Sequence, residues 1–157
     1  MNIAHLLTAQ VAAQGDHTAI IDHSRGRRRT VSFAGMEAGA SRLAAQLKAA
    51  GLRPGDAVLL LHPVSAELYM LFIAVLRCGL VAVFIDPAEG RDHIEQCCRV
   101  LPPRAMAGCR RAHWLRLVSP ALRRIPLKFS TDGRVWGAVR LDAGPSMPGK
   151  GVIHEGE

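Results

Sequence analysis

Apolar positions change their period several times along the chain, and each change marks an element. Ile3, Leu6, Leu7 and Val11 recur at helical spacing and predict a first helix ending near Gly15. Two β-rich runs follow at 18–22 and 29–33, joined through Ser24-Arg25-Gly26, which reads as a hairpin. Ser32 offers a hydroxyl cap to the next helix. Met36, Ala40, Leu43, Ala44, Leu47 and Ala50 line one face of it, and Gly51 supplies a left-handed stop.

Arg53-Pro54-Gly55-Asp56 has its proline and glycine where a type II turn wants them, and it launches a continuous apolar run at 57–61. Ser65 caps a helix running to Cys78, with Glu67 in its positive first turn and Gly79 at its end. That helix is apolar almost all round, which predicts burial on more than one side. A second all-apolar run, 80–85, ends at Asp86-Pro87; a helix at 92–101 and a short strand at 105–107 follow. Continuous apolar strands alternating with helices of ten or more residues define the α/β class, a parallel sheet with helices on both faces.

Beyond Gly108 the period weakens. Residues 112–122 read as helical up to Pro120, and 127–130 as a strand. From Asp132 glycine, proline and isolated apolar residues show no period. The expected organisation is an α/β subdomain at 1–130 and a loop or disordered tail at 131–157.

Composition narrows the class. With 157 residues and 49% apolar content, one domain is expected to bury about 68–70% of its unfolded surface. The longest charge-free apolar stretch, 68–76, lies between Glu67 and Arg77, far short of the roughly 20 residues a membrane span needs. The first eleven residues lack the basic start and small-residue cleavage site of a signal peptide. Cys78, Cys97, Cys98 and Cys109 form no CxxC pair and read as reduced thiols, so a cytoplasmic location is expected.

The net charge of +7 invites an acidic partner. Basic residues cluster at Arg25, Arg27, Arg28 and Arg29, then at Arg110, Arg111, Arg116, Arg123, Arg124 and Lys128. Aromatic residues make up only 4% of the chain, and no zinc-finger spacing or RNP-like string interleaves them with this charge. Nucleic acid is therefore not an expected partner. A solvated turn at 25–29 and the polar face of a later helix account for the arginines.

Three stretches carry a family resemblance. The first is Thr30-Val31-Ser32-Phe33 followed by Ser41-Arg42-Leu43-Ala44 and Leu47. The second is Gly51-Leu52-Arg53-Pro54-Gly55-Asp56-Ala57-Val58 with Pro63-Val64-Ser65-Ala66-Glu67-Leu68. The third is Ala74-Val75-Leu76-Arg77-Cys78-Gly79 with Val83-Phe84-Ile85-Asp86-Pro87. In this order the chain resembles the N-terminal segment of the adenylate-forming superfamily, the AMP-dependent synthetases and ligases that include acyl-CoA synthetases. Fainter likeness runs from residue 3 to 129. The departures are structural. Gly35 stands where the family's capping-box glutamate would be, Val64 replaces an asparagine, Cys78 an alanine, and Phe84 a common proline.

The resemblance implies a parent enzyme that uses ATP and magnesium to convert a carboxylic acid to an acyl-adenylate, usually passing the acyl group to coenzyme A. Such enzymes grip ATP with a Ser/Thr/Gly-rich loop ending in P-K-G, which by the family's spacing should arrive soon after residue 150. The chain is therefore expected to be the first part of a larger ligase, inactive alone. Its expected partner is the missing C-terminal portion, or a protein covering the same apolar surface, and an oligomer is a further possibility. The competing classes are a non-catalytic interaction module or split-ligase partner, and a basic nucleic-acid-binding α/β protein.

Local chemistry adds no assigned site. Gly144 to Gly151 imitates a phosphate-binding G-x-x-x-x-G-K-S/T loop. However, Gly151 stands where a hydroxyl must meet magnesium, and Pro145 and Pro148 delete amides that would cradle phosphate. His93 and Cys97 lie at i, i+4 with Cys98 adjacent. No partner motif completes a metal set, and Cys97 and Cys98 are expected to fill the core with Ile94 and Leu101. Asp86-Pro87 and His62 fall at the carboxyl ends of parallel strands, where ligands bind in such sheets, although turn formation explains them as well. No nucleophile–histidine–acid set can be assembled from spacing. No catalytic, cofactor-binding or metal-ligating residue is assigned.

Overall fold

The computed structural model describes residues 4–24, 26–145 and 147–150. Helix α1 (Ala4–Gln14) leads into a hairpin of β1 (Thr18–Ser24) and β2 (Arg27–Ser32), and β2 runs straight into α2 (Phe33–Ala49). The Ser32 hydroxyl accepts the Gly35 N–H at 3.0 Å, so the predicted cap forms even with glycine in place of the reciprocal acid. After the turn at 53–56 come β3 (Ala57–Leu61), α3 (Ala66–Arg77), β4 (Val81–Phe84), a 3-10 turn (Pro87–Glu89), α4 (Arg91–Val100) and β5 (Ala105–Gly108). The Ser65 hydroxyl caps α3 by accepting the Leu68 N–H at 3.3 Å.

The main sheet has the order β4-β3-β5-β6-β7, and every neighbouring pair is parallel. Residues of β3 alternate between two cores. Val58 and Leu60 join Ala105, Ala107 and Phe129 under α2 and α3. Leu59 and Leu61 join Met106 under Ile94 and Cys98 of α4 and Leu122 beyond it. Helices on both faces explain why the central strands read as unbroken apolar runs.

The run at 80–85 departs from that expectation. Leu80 and Ile85 are buried, but β4 is an outer strand with Val81 42% and Phe84 56% exposed. Nothing pairs with its outer side among the described residues. Phe84 makes an edge-to-face contact with Phe72, ring centroids 5.5 Å apart.

The helical stretch expected from 112 up to Pro120 is a 3-10 turn (Ala112–Trp114) running into α5 (Leu115–Val118), and a second short helix, α6 (Pro120–Arg124), starts at the proline. Pro120 forces Ser119 into an extended conformation, φ −109° and ψ 111°. The same residue then caps α6 while its hydroxyl donates to Glu95 of α4 at 2.6 Å. Strand β6 (Leu127–Ser130) follows where predicted.

The stretch expected to be loop or disordered from 131 holds one more strand, β7 (Val139–Arg140), parallel to β6. Leu141 is buried in the first core. Gln46 of α2 then staples the backbone, donating to Asp142 O at 2.8 Å and accepting the Asp142 N–H at 3.0 Å, while Arg42 donates to Ala143 O at 2.7 Å. Further on, Met147 O accepts the Ser32 N–H and Lys150 N–H donates to Asp16 O. One apolar anchor and a two-residue strand leave no period for sequence reasoning to detect. Residues 151–157 lie outside the described part.

Arg29 corrects another expectation. It is not part of a solvated hairpin tip. Its guanidinium bridges Asp22 and Glu67, with contacts of 2.6 Å to each, and the Asp22 carboxylate also accepts the Ala66 N–H at the start of α3. The hairpin is thereby clasped to the helix. Both carboxyls are held below their usual range, chiefly by the hydrogen bonds from Arg29. Arg27 and Arg28 are exposed as expected, and Arg25 lies outside the described residues.

Candidate functional site

In an open parallel sheet, ligands bind outside the carboxyl ends of the strands, where the strand order reverses. Here the reversal falls at β3, since the chain steps outward to β4 and then crosses back to β5. A cavity of about 400 Å³ opens at that point, between Leu61, Pro63, Phe84, Ile85 and Leu115, with His62, Cys109 and Arg111 on its wall. Gly108 makes the junction possible, because a Cβ there would sit 2.6 Å from the Leu61 carbonyl oxygen. The Cys109 N–H donates to that same oxygen at 3.3 Å and clamps the two strand ends together.

The polar groups at this edge are mostly committed. His62 Nδ1 lies 2.8 Å from Pro63 O and 3.3 Å from Ser65 Oγ, so it braces the start of α3. Asp86 accepts the Ala88 N–H at 2.9 Å and closes the 3-10 turn, the structural role weighed for it from the sequence. His62 and Cys109 reach the same cavity, but no hydrogen bond joins them among the described residues. The arrangement suits holding an apolar group near a cation; it is not a nucleophile–base pair.

The remaining candidates are not brought together. His93 Nε2 and Cys97 Sγ are 3.5 Å apart on α4, and no group of three or more potential metal ligands exists among the described residues. Cys98 and Ile94 are buried as expected, whereas Cys97 is half-buried and Leu101 is exposed, so the core pair is Ile94 and Cys98. Burial pushes the Cys78 and Cys98 thiols up, away from the reactive thiolate. In the stretch 144–150, Gly144 N–H donates to the Asp142 carboxylate at 2.8 Å. That amide is already satisfied, by a negative charge that would repel phosphate.

Sequence reasoning missed a second cleft on the same side of the sheet. Arg110, Trp114, Arg116, Arg123, Arg134 and Trp136 line about 590 Å³ there. Beside it lies the buried His113, whose Nε2 is 3.0 Å from Phe129 O. Burial, reinforced by the Arg116 charge, holds the imidazole below its ordinary pKa, so it is neutral at pH 7 and Nε2 donates to the carbonyl. One signal was present in the sequence: each tryptophan stands two residues from an arginine, Trp114 from Arg116 and Trp136 from Arg134.

The family model for the AMP-binding enzymes matches residues 7–134. The chain belongs to that family. An olefin beta-lactone synthetase of Stenotrophomonas maltophilia is 25% identical over 153 residues, covering 80% of this chain and 28% of the relative. The like-named protein of Xanthomonas campestris is 31% identical over 117 residues, covering 71% of this chain and 20% of the relative. The chain thus spans roughly a quarter of the length of these curated relatives.

Among solved structures, an acetoacetyl-CoA synthetase from Streptomyces lividans superposes with a TM-score of 0.81 at 18% identity, over 94% of this chain and 26% of that one. An anthranilate CoA ligase in complex with anthranoyl-AMP gives 0.71 at 22% identity, over 83% and 25%. These likenesses show the fold: the α/β, parallel-sheet N-terminal part of adenylate-forming ligases.

Proposed function

We propose that this chain supplies the N-terminal part of an ATP-dependent enzyme that activates a carboxylic acid as an acyl-adenylate, with coenzyme A as the acyl acceptor. The observation that carries the reading is the family match over residues 7–134, seated on a parallel sheet whose reversal point opens an apolar cavity. Related names divide between a beta-lactone synthetase and a 4-coumarate–CoA ligase. Acid activation therefore comes first in the proposal and coenzyme A second. In it, these residues frame the sheet and border the acyl group, while ATP and magnesium are held by the rest of the ligase. The open outer side of β4, with Val81 and Phe84 exposed, supports packing against that remainder. Among the described residues no helix is long and apolar enough to cross a membrane. A cytoplasmic setting belongs to the same reading, supported by four free cysteines.

The described residues do not fit the phosphates of ATP. The stretch that leaves β7 carries Asp142, Pro145 and Pro148, and its Gly144 amide is taken by the Asp142 carboxylate. It ends in Pro148-Gly149-Lys150-Gly151 rather than in a P-K-G run. Hence the purified chain is expected to form no acyl-adenylate. With ATP, magnesium, labelled pyrophosphate and a panel of fatty and aromatic acids, acid-dependent exchange should not rise above the no-acid background. Acid-dependent exchange would contradict the assignment of ATP binding to the rest of the ligase. The parentage has its own check in the coding DNA downstream of residue 157. A continuing frame with a Ser/Thr/Gly-rich loop and P-K-G supports it, and an unrelated frame overturns the larger-ligase reading while leaving the family match over residues 7–134 in place.

A further inference from the structure

The cleft beyond β5 and β6 has no role in the proposed acid activation, yet it concentrates chemistry the fold does not need. The chain has two tryptophans, and both stand on this cleft, Trp114 68% and Trp136 92% exposed. An indole left in water contributes little to folding; a pair of them on one surface marks recognition. Arg110, Arg116, Arg123 and Arg134 share the walls. None of the four forms a salt bridge among the described residues, where the ion pairs involve Arg29, Arg77 and Lys150.

The positive charge is held in place and outweighs the acid beside it. Arg116 Nη1 donates to the Trp136 backbone carbonyl at 3.1 Å and lies 3.4 Å from His113 Nδ1, which holds the guanidinium on the cleft wall. Its Nε is buried without a partner among the described residues. Asp132, the acid at the edge of the cleft, is engaged by the Arg110 backbone N–H.

We infer that this cleft binds single-stranded nucleic acid, with bases stacking on Trp114 and Trp136 while the surrounding arginines neutralise the flanking phosphates. Stacking on indoles needs an unpaired base face, which a duplex conceals. Reading a duplex groove normally takes an inserted helix or ribbon, and the α-helices on this cleft, α5 and α6, are only four and five residues long. The sequence argued against nucleic acid because aromatics were few and not interleaved with the basic clusters. Folding supplies the interleaving by bringing Trp136, from beyond β6, to the arginines that follow β5.

The two tryptophans are also the reporters. Intrinsic fluorescence of the full chain is titrated with an oligo-dT of about twelve nucleotides, the corresponding duplex, heparin, and AMP or ATP. The oligo-dT should quench, and its affinity should fall with salt at a log–log slope of about −2 to −3 for three or four arginines. Trp136→Ala, at a position too exposed to disturb the fold, should weaken binding about fivefold or more, followed through Trp114. Arg134→Ala should reduce the slope by about 0.7. Absence of quenching by oligo-dT overturns the inference. So does heparin matching the oligo-dT in affinity with no loss on Trp136→Ala, and so do mononucleotides or duplex binding as tightly as the single strand. None of these outcomes bears on pyrophosphate exchange, so the two readings fail separately.

Discussion

Replacing Phe129 by alanine is expected to destabilise the chain by about 4 kcal/mol. Phe129 is 1% exposed and is among the largest buried side chains. It lies on β6, and its ring belongs to the core under α2 and α3 with Leu47, Leu71 and Leu141. Truncation would remove the transfer energy of the ring and leave a cavity. The neighbouring strands cannot close it, because β5 and β7 are fixed on either side by parallel ladders. Since a domain of this size is stable by about 5–15 kcal/mol, the loss is a large share of the total. Urea unfolding should show a much lower midpoint with an unchanged slope, and Phe129→Leu should retain most of the lost stability. A midpoint within experimental scatter of the parent would mean that β6 is not buried in this way.

Arg29→Ala is expected to cost about 2–3 kcal/mol at neutral pH, at the low end for breaking a buried pair because the three side chains remain partly open to water. Removal leaves Asp22 and Glu67 close together without their shared cation, and the Asp22 side chain is only 10% exposed. Arg29→Lys should recover less than half, since an ammonium cannot present parallel N–H groups to two carboxylates. The effect also has a pH signature. Both carboxyls are held below their unfolded values, which lie near about 4. Their contribution is therefore present above that pH and lost as pH falls through the folded values. Parent and Arg29→Ala should differ most at pH 6–7 and converge toward pH 2. A difference independent of pH would assign the loss to packing of the arginine stem instead.

Much of the fold was legible because it rests on devices the sequence displays openly. Ser32 and Ser65 announce their caps, and the apolar runs at 57–61 and 105–107 are unbroken because helices cover both faces of β3 and β5. The failures share a cause, which is dependence on distant residues. Nothing in the run at 80–85 says that β4 lies at the outer edge. Strand β7 is two residues long, and the backbone at Asp142 just beyond it is held by Gln46, far back on α2. Arg29 looks like its neighbours Arg27 and Arg28 until folding places Glu67 opposite.

The site was less legible for the same reason. His62 and Asp86 were placed correctly at strand ends, but their partners, the Pro63 carbonyl and the Ala88 amide, show them serving turns. Cys109 and Arg111 were visible only as a thiol and a charge, and the cavity they share with His62 exists because Gly108 lets two strand ends meet. The tryptophan–arginine cleft joins residues from both sides of β6, so composition alone underrated it.

The reversal point and both clefts fall on one edge of the sheet because β3 lies between β4 and β5 with all three strands parallel. Cross-strand amide and Hα nuclear Overhauser contacts in the labelled chain test this directly. The expected result is the parallel pattern linking Leu59 with both Val83 and Met106, one neighbour on each side. Antiparallel contacts at either pair, or sequential helical contacts through 57–61, would contradict it.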